Sequence, residues 1–225
     1  MRILALDGAL ARASAAVWVE GRVAASALAE GARGQAVALP PMVARVLAEA
    51  GLRATELDAV AAVVGPGGFT GLRAALALAQ GVALAAGCPA IGVSTGEALA
   101  AALPQEIRAA REIWSVTDTK RGRVLLERIA PGAWAALAPP APYALEELPQ
   151  PVGPVALVGD AAALAAEALA GRGDVLLTDA LLPEAGHVAA VAARRLAGEL
   201  PPRAALPLYV EPPAVRLPGG GAAPV

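Results

Sequence analysis

One stretch constrains the fold more than any other: an apolar run from Asp58 to Val64 passes straight into GPGGFTG at residues 65–71, and an apolar helix is expected to follow over 72–86. A continuous apolar strand is the kind buried on both faces of a sheet. Three glycines and a proline then allow a tight strand-to-helix connection whose backbone amides face out at the helix N-terminus. Gly67 and Gly71 are expected at positive φ, where a β-carbon costs about 1 kcal/mol or more. The loop lacks the lysine that a phosphate loop places before its Ser/Thr, so the match to that motif fails. It is open to two readings, an anion-holding helix end or a structural turn with Phe69 buried as its anchor. In the helix, Leu72, Leu76, Ala79, Val82 and Ala83 make one stripe, and Ala75, Leu78 and Ala86 widen it until Arg73 and Gln80 are nearly the only polar interruptions. A helix apolar almost all round needs cover on both sides.

Upstream of this stretch, residues 2–7, 14–20 and 22–30 read as three strands joined by tight turns, a meander. Leu39, Met42, Val43, Val46, Leu47 and Ala50 recur at three- and four-residue spacing and predict a helix from Gln35 to Ala50, which Gly51 stops. Downstream come a strand at 89–93 and a helix opening at Ser94 or Thr95, with Glu97 in its first turn. From Pro104 the order begins again. Residues 112–119, 123–130 and 133–138 read as a second meander, followed by a strand at 155–158, a helix to about 170, a strand at 175–177 and a helix at 186–197. Two units of the same order predict a duplicated α/β fold of two similar subdomains, the actin-like ATPase or ribonuclease H-like kind. Their bounds are 1–103 and 104–217, with the last helix, 186–198, free to pack back on the first, and a disordered tail at 218–225.

Composition narrows the function. The chain carries 18 Lys and Arg against 20 Asp and Glu, so it lacks the basic surface with which an independent RNA-binding domain attracts phosphates. If RNA is involved, other subunits hold most of it. The longest uncharged run, between Arg73 and Glu97, is broken by Pro89, and a helix ending at Gly87 is too short for a hydrocarbon layer of ~30 Å. Asp7 interrupts the first apolar run, which argues against a signal peptide, and a cytoplasmic protein is expected. A single cysteine, Cys88, excludes an internal disulfide and reads as a small apolar residue. The one histidine, His187, cannot supply a metal site or a Ser/His/Asp relay, and reads as a helix-start or surface residue.

The segment AAVVGPGGFTGLRAALALAQGVAL, residues 61–84, resembles the most recognisable stretch of the TsaB family, which typically reads GPGSFTG with a basic residue two positions later. Gly65, Pro66, Gly67, Phe69, Thr70, Gly71 and Arg73 match, and Gly68 stands where serine is usual. ILALD near the start, GLRATELDAVAAV, PAIGVSTGEALA and PLYVEPPAVRLP at 207–218 are similar to further family segments in the same order. Gly8, Ala9 and Leu10 replace a usual Thr-Ser pair, and Gln35 and Ala36 stand where a histidine is common.

The resemblance implies a non-catalytic subunit, not an enzyme, that binds a TsaD-type subunit transferring a threonylcarbamoyl group to N6 of the adenosine beside the tRNA anticodon. It implies further partners, a TsaE-type ATPase and a second copy when the chain is alone, with tRNA met indirectly. No cofactor of its own is implied; ATP or ADP would be held by partner subunits. In the family the two long helices form the pairing surface, which here points to Leu39, Met42, Val43, Val46, Leu72, Leu76, Ala79 and Val82. By position in the fold, Asp7, Gly67, Gly68, Thr70 and Asp118 are candidates for an anion or nucleotide contact, with Gly159-Asp160 as a nucleoside-side turn. The plainer reading is that Asp7 and Asp118 end strands and satisfy turn amides. The rival functions are a small-molecule kinase of the actin-like class and a purely structural homodimer.

Overall fold

The computed structural model describes residues 1–31, 33–208 and 210; the expected tail at 218–225 lies outside them. Two five-stranded sheets share one topology. The first contains β1 (Arg2–Asp7), β2 (Arg12–Val19), β3 (Arg22–Glu30), β4 (Ala59–Gly65) and β5 (Ala90–Ser94) in the order β3-β2-β1-β4-β5. The second contains β6 (Glu112–Asp118), β7 (Val124–Ile129), β8 (Ala141–Tyr143), β9 (Val155–Val158) and β10 (Val175–Leu177) in the order β8-β7-β6-β9-β10, which is the same path through equivalent strands. In each, the first strand pairs antiparallel with the second and parallel with the fourth, as a meander followed by crossovers requires.

Both faces of the first sheet are covered. Leu4, Leu6, Val60, Ala62 and Val64 turn towards α1 (Gln35–Glu49) and α2 (Phe69–Ala86), whereas Ile3, Ala5, Ala61 and Val63 turn towards α6 (Ala185–Leu196). The period of two sends alternate side chains to opposite layers, and both layers are apolar, so the central strands read as continuous runs. α6 belongs to the second half of the chain, yet it packs across β1, β2, β4 and β5. α5 (Ala162–Ala168) covers one face of the second sheet through Ala162 and Ala165.

Between the sheets lies α3 (Thr95–Ala101), buried over its first six residues. Ala98 joins the core under the first sheet, and Leu99, Ala100 and Leu103 join that of the second. Its start is a capping box: the Ser94 hydroxyl accepts from the Glu97 amide at 3.0 Å, and Glu97 Oε2 accepts from the Ser94 amide at 2.9 Å. The other oxygen, Glu97 Oε1, accepts from Arg195 of α6 at 2.7 Å and from Arg203 at 3.1 Å. Arg195 spends its remaining donors on the carbonyls of Gly92, at 3.1 Å, and Pro201, at 2.9 Å. Across the boundary, Glu127 of β7 accepts from the Gly96 amide at 2.9 Å. A β-carbon on Gly96 would sit 2.3 Å from that carboxylate, so glycine is required there.

Three elements differ from the sequence-based expectation. The third strand of the second meander is Ala141–Tyr143, not residues 133–138, because Trp134 folds inward against Arg108 and Arg194. α2 begins at Phe69, three residues early, with Gly68 supplying the carbonyl for its first turn. A short helix, α4 (Gln105–Ala110), occupies the connection after Pro104.

Removing one partner from a buried ion pair leaves the other charge uncompensated, which costs about 3–5 kcal/mol. Arg195→Ala is therefore expected to lower the unfolding free energy by roughly 3 kcal/mol or more, since among the described residues Arg203 is left as the only guanidinium on Glu97. Urea unfolding followed by circular dichroism measures this; a loss under about 1 kcal/mol would contradict the role given to the pair.

Candidate functional site

A cleft of about 880 Å³ opens where the two halves face each other. Its floor is the β1–β2 hairpin at Gly8–Ala11 and the loop Pro66–Gly71; its far wall is the β6–β7 turn, Thr117–Arg121, with Asp160, and Arg33, Gly34 and Gln35 close one side. Of the anion candidates, Gly67, Gly68, Thr70 and Asp118 line this space. Asp7 does not line it: the side chain is fully buried beneath the hairpin, with Oδ1 accepting from the Ala9 amide at 2.9 Å. Burial pushes its carboxyl up to about 7, against the pull of the Ala9 amide, Arg12 and the Gly8 amide.

The glycine loop and the first hairpin interlock backbone to backbone. Gly68 N–H donates to Ala9 O at 2.7 Å. A β-carbon would meet Ala9 O at 2.3 Å if placed on Gly67, and Gly8 O at 2.1 Å if placed on Gly71. The glycines are thus needed for close approach and not for their dihedrals: the loop's positive φ falls at Gly65, at 120°, and neither Gly67 nor Gly71 adopts one. Phe69, expected as a buried anchor, is 57% exposed, with the Arg73 guanidinium 3.6 Å from its ring centre. The first helical turn points it off the sheet.

The opposite hairpin is closed by its own charges. Asp118 accepts from the Lys120 amide at 2.6 Å and from Lys120 Nζ at 2.8 Å, while Asp160 accepts from the Asp118 amide at 2.9 Å and lies 3.6 Å from Lys120 Nζ. Lys120 holds the Asp118 carboxyl below its usual range, chiefly through the side-chain hydrogen bond; desolvation raises Asp160. Lys120 is thereby held between two carboxylates, and Asp118 acts as a turn clamp.

The second feature is the outer face of α1 and α2, which pack side by side. Six of the eight side chains expected at a pairing surface point inward: Leu39, Val43, Val46, Leu72, Leu76 and Ala79 are buried in this chain's own core, and Met42 and Val82 are half-buried against it. Each stripe satisfies the sheet first, because the strands beneath expose apolar side chains of their own. Exposed away from the sheet are Val37, Pro41, Ala44, Arg45, Ala48 and Glu49 on α1, and Thr70, Arg73, Ala77, Gln80, Gly81 and Leu84 on α2. Val37 is 80% and Leu84 85% exposed. By length and composition α2 meets the criterion for a membrane span, but a third of it is buried inside the protein. His187 is half-buried in the first turn of α6, and desolvation lowers its pKa.

Two copies of one meander-and-crossover sheet about a central cleft define an actin-like ATPase fold. The family model of TsaD, tRNA N6-adenosine threonylcarbamoyltransferase, matches residues 29–128. The TsaB protein of Escherichia coli, named for tRNA threonylcarbamoyladenosine biosynthesis, is 38% identical over 124 residues, 55% of this chain and 53% of that protein. A tRNA N6-adenosine threonylcarbamoyltransferase of Maricaulis maris is 49% identical over 63 residues, 28% of this chain and 17% of its own. The solved structure of YeaZ from Pseudomonas aeruginosa superimposes with a TM-score of 0.75 at 28% identity, covering 92% of this chain and 99% of that one. A second Pseudomonas aeruginosa structure, described as similar to peptidase YEAZ, gives 0.77 at the same 28% identity, covering 93% and 99%. The chain is thus similar to TsaB in sequence over about half its length and to the YeaZ structures over nearly all of its fold. The sequence match spans about half the length of the Escherichia coli relative.

Two outcomes follow from the site's geometry. Gly67→Ala and Gly71→Ala are each expected to lower stability by about 1–3 kcal/mol, the cost of forcing a carbon into a packed backbone contact. A melting temperature unchanged in both would refute the interlock. Asp7 and Glu127 each have a folded pKa of about 7, raised chiefly by burial. The folded state therefore binds more protons than the unfolded one between about pH 4 and 7, and stability falls as pH rises across that window. Asp7→Asn and Glu127→Gln should each flatten the fall in melting temperature between pH 5 and pH 8; parallel curves for wild type and variants would show that these carboxyls do not titrate as described.

Proposed function

We propose that this chain is a non-catalytic subunit in tRNA threonylcarbamoyladenosine biosynthesis that binds a TsaD-type subunit through the outer face of α1 and α2. The observation that carries the reading is the pair of adjacent helices whose exposed faces are mostly small or apolar, the polar exceptions being Arg45, Glu49, Thr70, Arg73 and Gln80, with Val37 80% and Leu84 85% exposed. Side chains of this size let a second helix pair approach closely, and exposed apolar area of this kind marks protein interfaces. The TsaD family model matches residues 29–128, a stretch that includes both helices. A TsaD-type protein is thus related to this chain over these helices, and two related surfaces pair about a pseudo-two-fold axis as a homodimer pairs about a true one.

The cleft argues against the kinase alternative. The first hairpin of this chain, Gly8–Ala11, offers a phosphate no side-chain hydroxyl, and its Ala9 carbonyl is tied to the Gly68 amide. The second hairpin's lysine is held by Asp118 and Asp160. With one histidine in the sequence, the chain has no pair with which to hold a catalytic metal, and the transfer chemistry belongs to the partner.

Leu84→Glu and Ala77→Glu should leave the circular dichroism spectrum and melting temperature near those of wild type and weaken association with the TsaD-type subunit by ~10-fold or more, since a carboxylate buried unpaired at an interface costs several kcal/mol. Ala79→Glu should instead unfold the chain, because Ala79 is fully buried. Sedimentation velocity of the chain with and without the partner measures the association. Folded Leu84 and Ala77 variants that bind the partner normally would place the interface elsewhere.

A further inference from the structure

A second, smaller cavity of about 190 Å³ lies away from the cleft and from the α1–α2 face, lined by Gln105, Arg108 and Ala109 of α4, by Gly132 and Trp134, and by Arg194 of α6. Three observations single it out. The guanidinium carbons of Arg108 and Arg194 lie 3.7 and 4.0 Å from the Trp134 ring centre, so one indole holds two cations beside the same cavity. The Gly132 amide donates to the Arg108 carbonyl at 2.7 Å, which pins the Trp134 loop to α4 and fixes the arrangement without a ligand. Arg194 pairs with Glu199 at 2.5 Å, whereas the Arg108 side chain makes no ion pair or side-chain hydrogen bond among the described residues. Desolvation and the neighbouring Arg194 both lower the Arg108 pKa, the direction expected of a cation whose counter-charge is missing.

We propose that Arg108, Trp134 and Arg194 form a phosphodiester-binding site that takes one backbone phosphate of an RNA. The charge balance fits: two guanidiniums less the Glu199 carboxylate leave one positive charge, and a backbone phosphate carries one negative charge. Guanidiniums stacked by their faces keep N–H edges for phosphate oxygens, and Gln105 adds an amide donor at the rim. A water takes up ~30 Å³ of liquid, so the cavity has room for about six, enough for a phosphate and part of its sugar but not a whole nucleotide chain. RNA as the source of the phosphate rests on the proposed function. One contact of this kind also accords with a chain of near-neutral charge that leaves most of the RNA to other subunits.

The test is fluorescence anisotropy of a labelled tRNA anticodon-arm RNA with the full chain, alone and together with the TsaD-type subunit, at several salt concentrations. R108Q and R194Q are expected to lower RNA affinity by ~10-fold each, as for loss of a charged hydrogen bond, and to reduce the slope of log affinity against log salt by about one. R53Q, which removes an equal charge on the first half, should do neither. Partner binding by sedimentation should be the same in all three, so loss of the partner in wild type would count against the proposed function, and normal partner binding with RNA affinity unchanged in R108Q and R194Q would overturn the site alone. RNA binding absent in wild type under low salt would also overturn it.

Discussion

The structure depends on one buried carboxylate. Glu97 has both oxygens inside the protein, and a charge so placed is tolerated only when its lone pairs are used. One oxygen caps the helix it belongs to; the other receives Arg195 and Arg203, which lie about a hundred residues further on. A single side chain therefore fixes the start of α3, draws α6 onto the first sheet and holds the segment after α6. Glu127 adds the tie to the second sheet through the Gly96 amide. Because α3 is apolar on both sides and sits between the sheets, this polar knot decides how the two halves face each other.

That placement explains why the two candidate surfaces differ. The cleft inherits an actin-like geometry, but its floor is closed by contacts that only glycine permits and its far wall by a lysine shared between two aspartates. The α1–α2 face is exposed among the described residues because the inward stripes of both helices are already spent on the sheet. The shared topology does not by itself decide between catalysis and presenting a surface, since function resides in particular sites.

Much of this was legible beforehand. Alternating and continuous apolar runs located the central strands, and the spacing of Leu39, Val43 and Val46 marked one helical face, but not that it lies against this chain's own sheet and not at a pairing surface. The repeated order of elements announced the duplication. The GPGGFTG segment was recognisable for its glycines, but the reason it needs them was not: a requirement for close approach depends on Gly8 and Ala9, some sixty residues earlier, whereas positive φ is a local property. Phe69 misled for a related reason, since aromatic character suggests burial while its position on the first turn of α2 decides exposure. Glu127 left a weak trace as a lone acid inside an apolar strand; Trp134 left none, because its contacts come from α4 and α6.

Local spacing thus determined the elements, the duplicated order and the family resemblance, because helix and strand periods and turn residues act over a few positions. Which side of each apolar helix is spent on the sheet, how the glycine loop meets the first hairpin, and where Arg195, Arg203 and Arg108 find their neighbours were decided only by the tertiary structure. The physical reason is that burial and charge pairing are properties of three-dimensional neighbourhoods: Glu97 and Arg195 are 2.7 Å apart in space and ninety-eight residues apart in the chain.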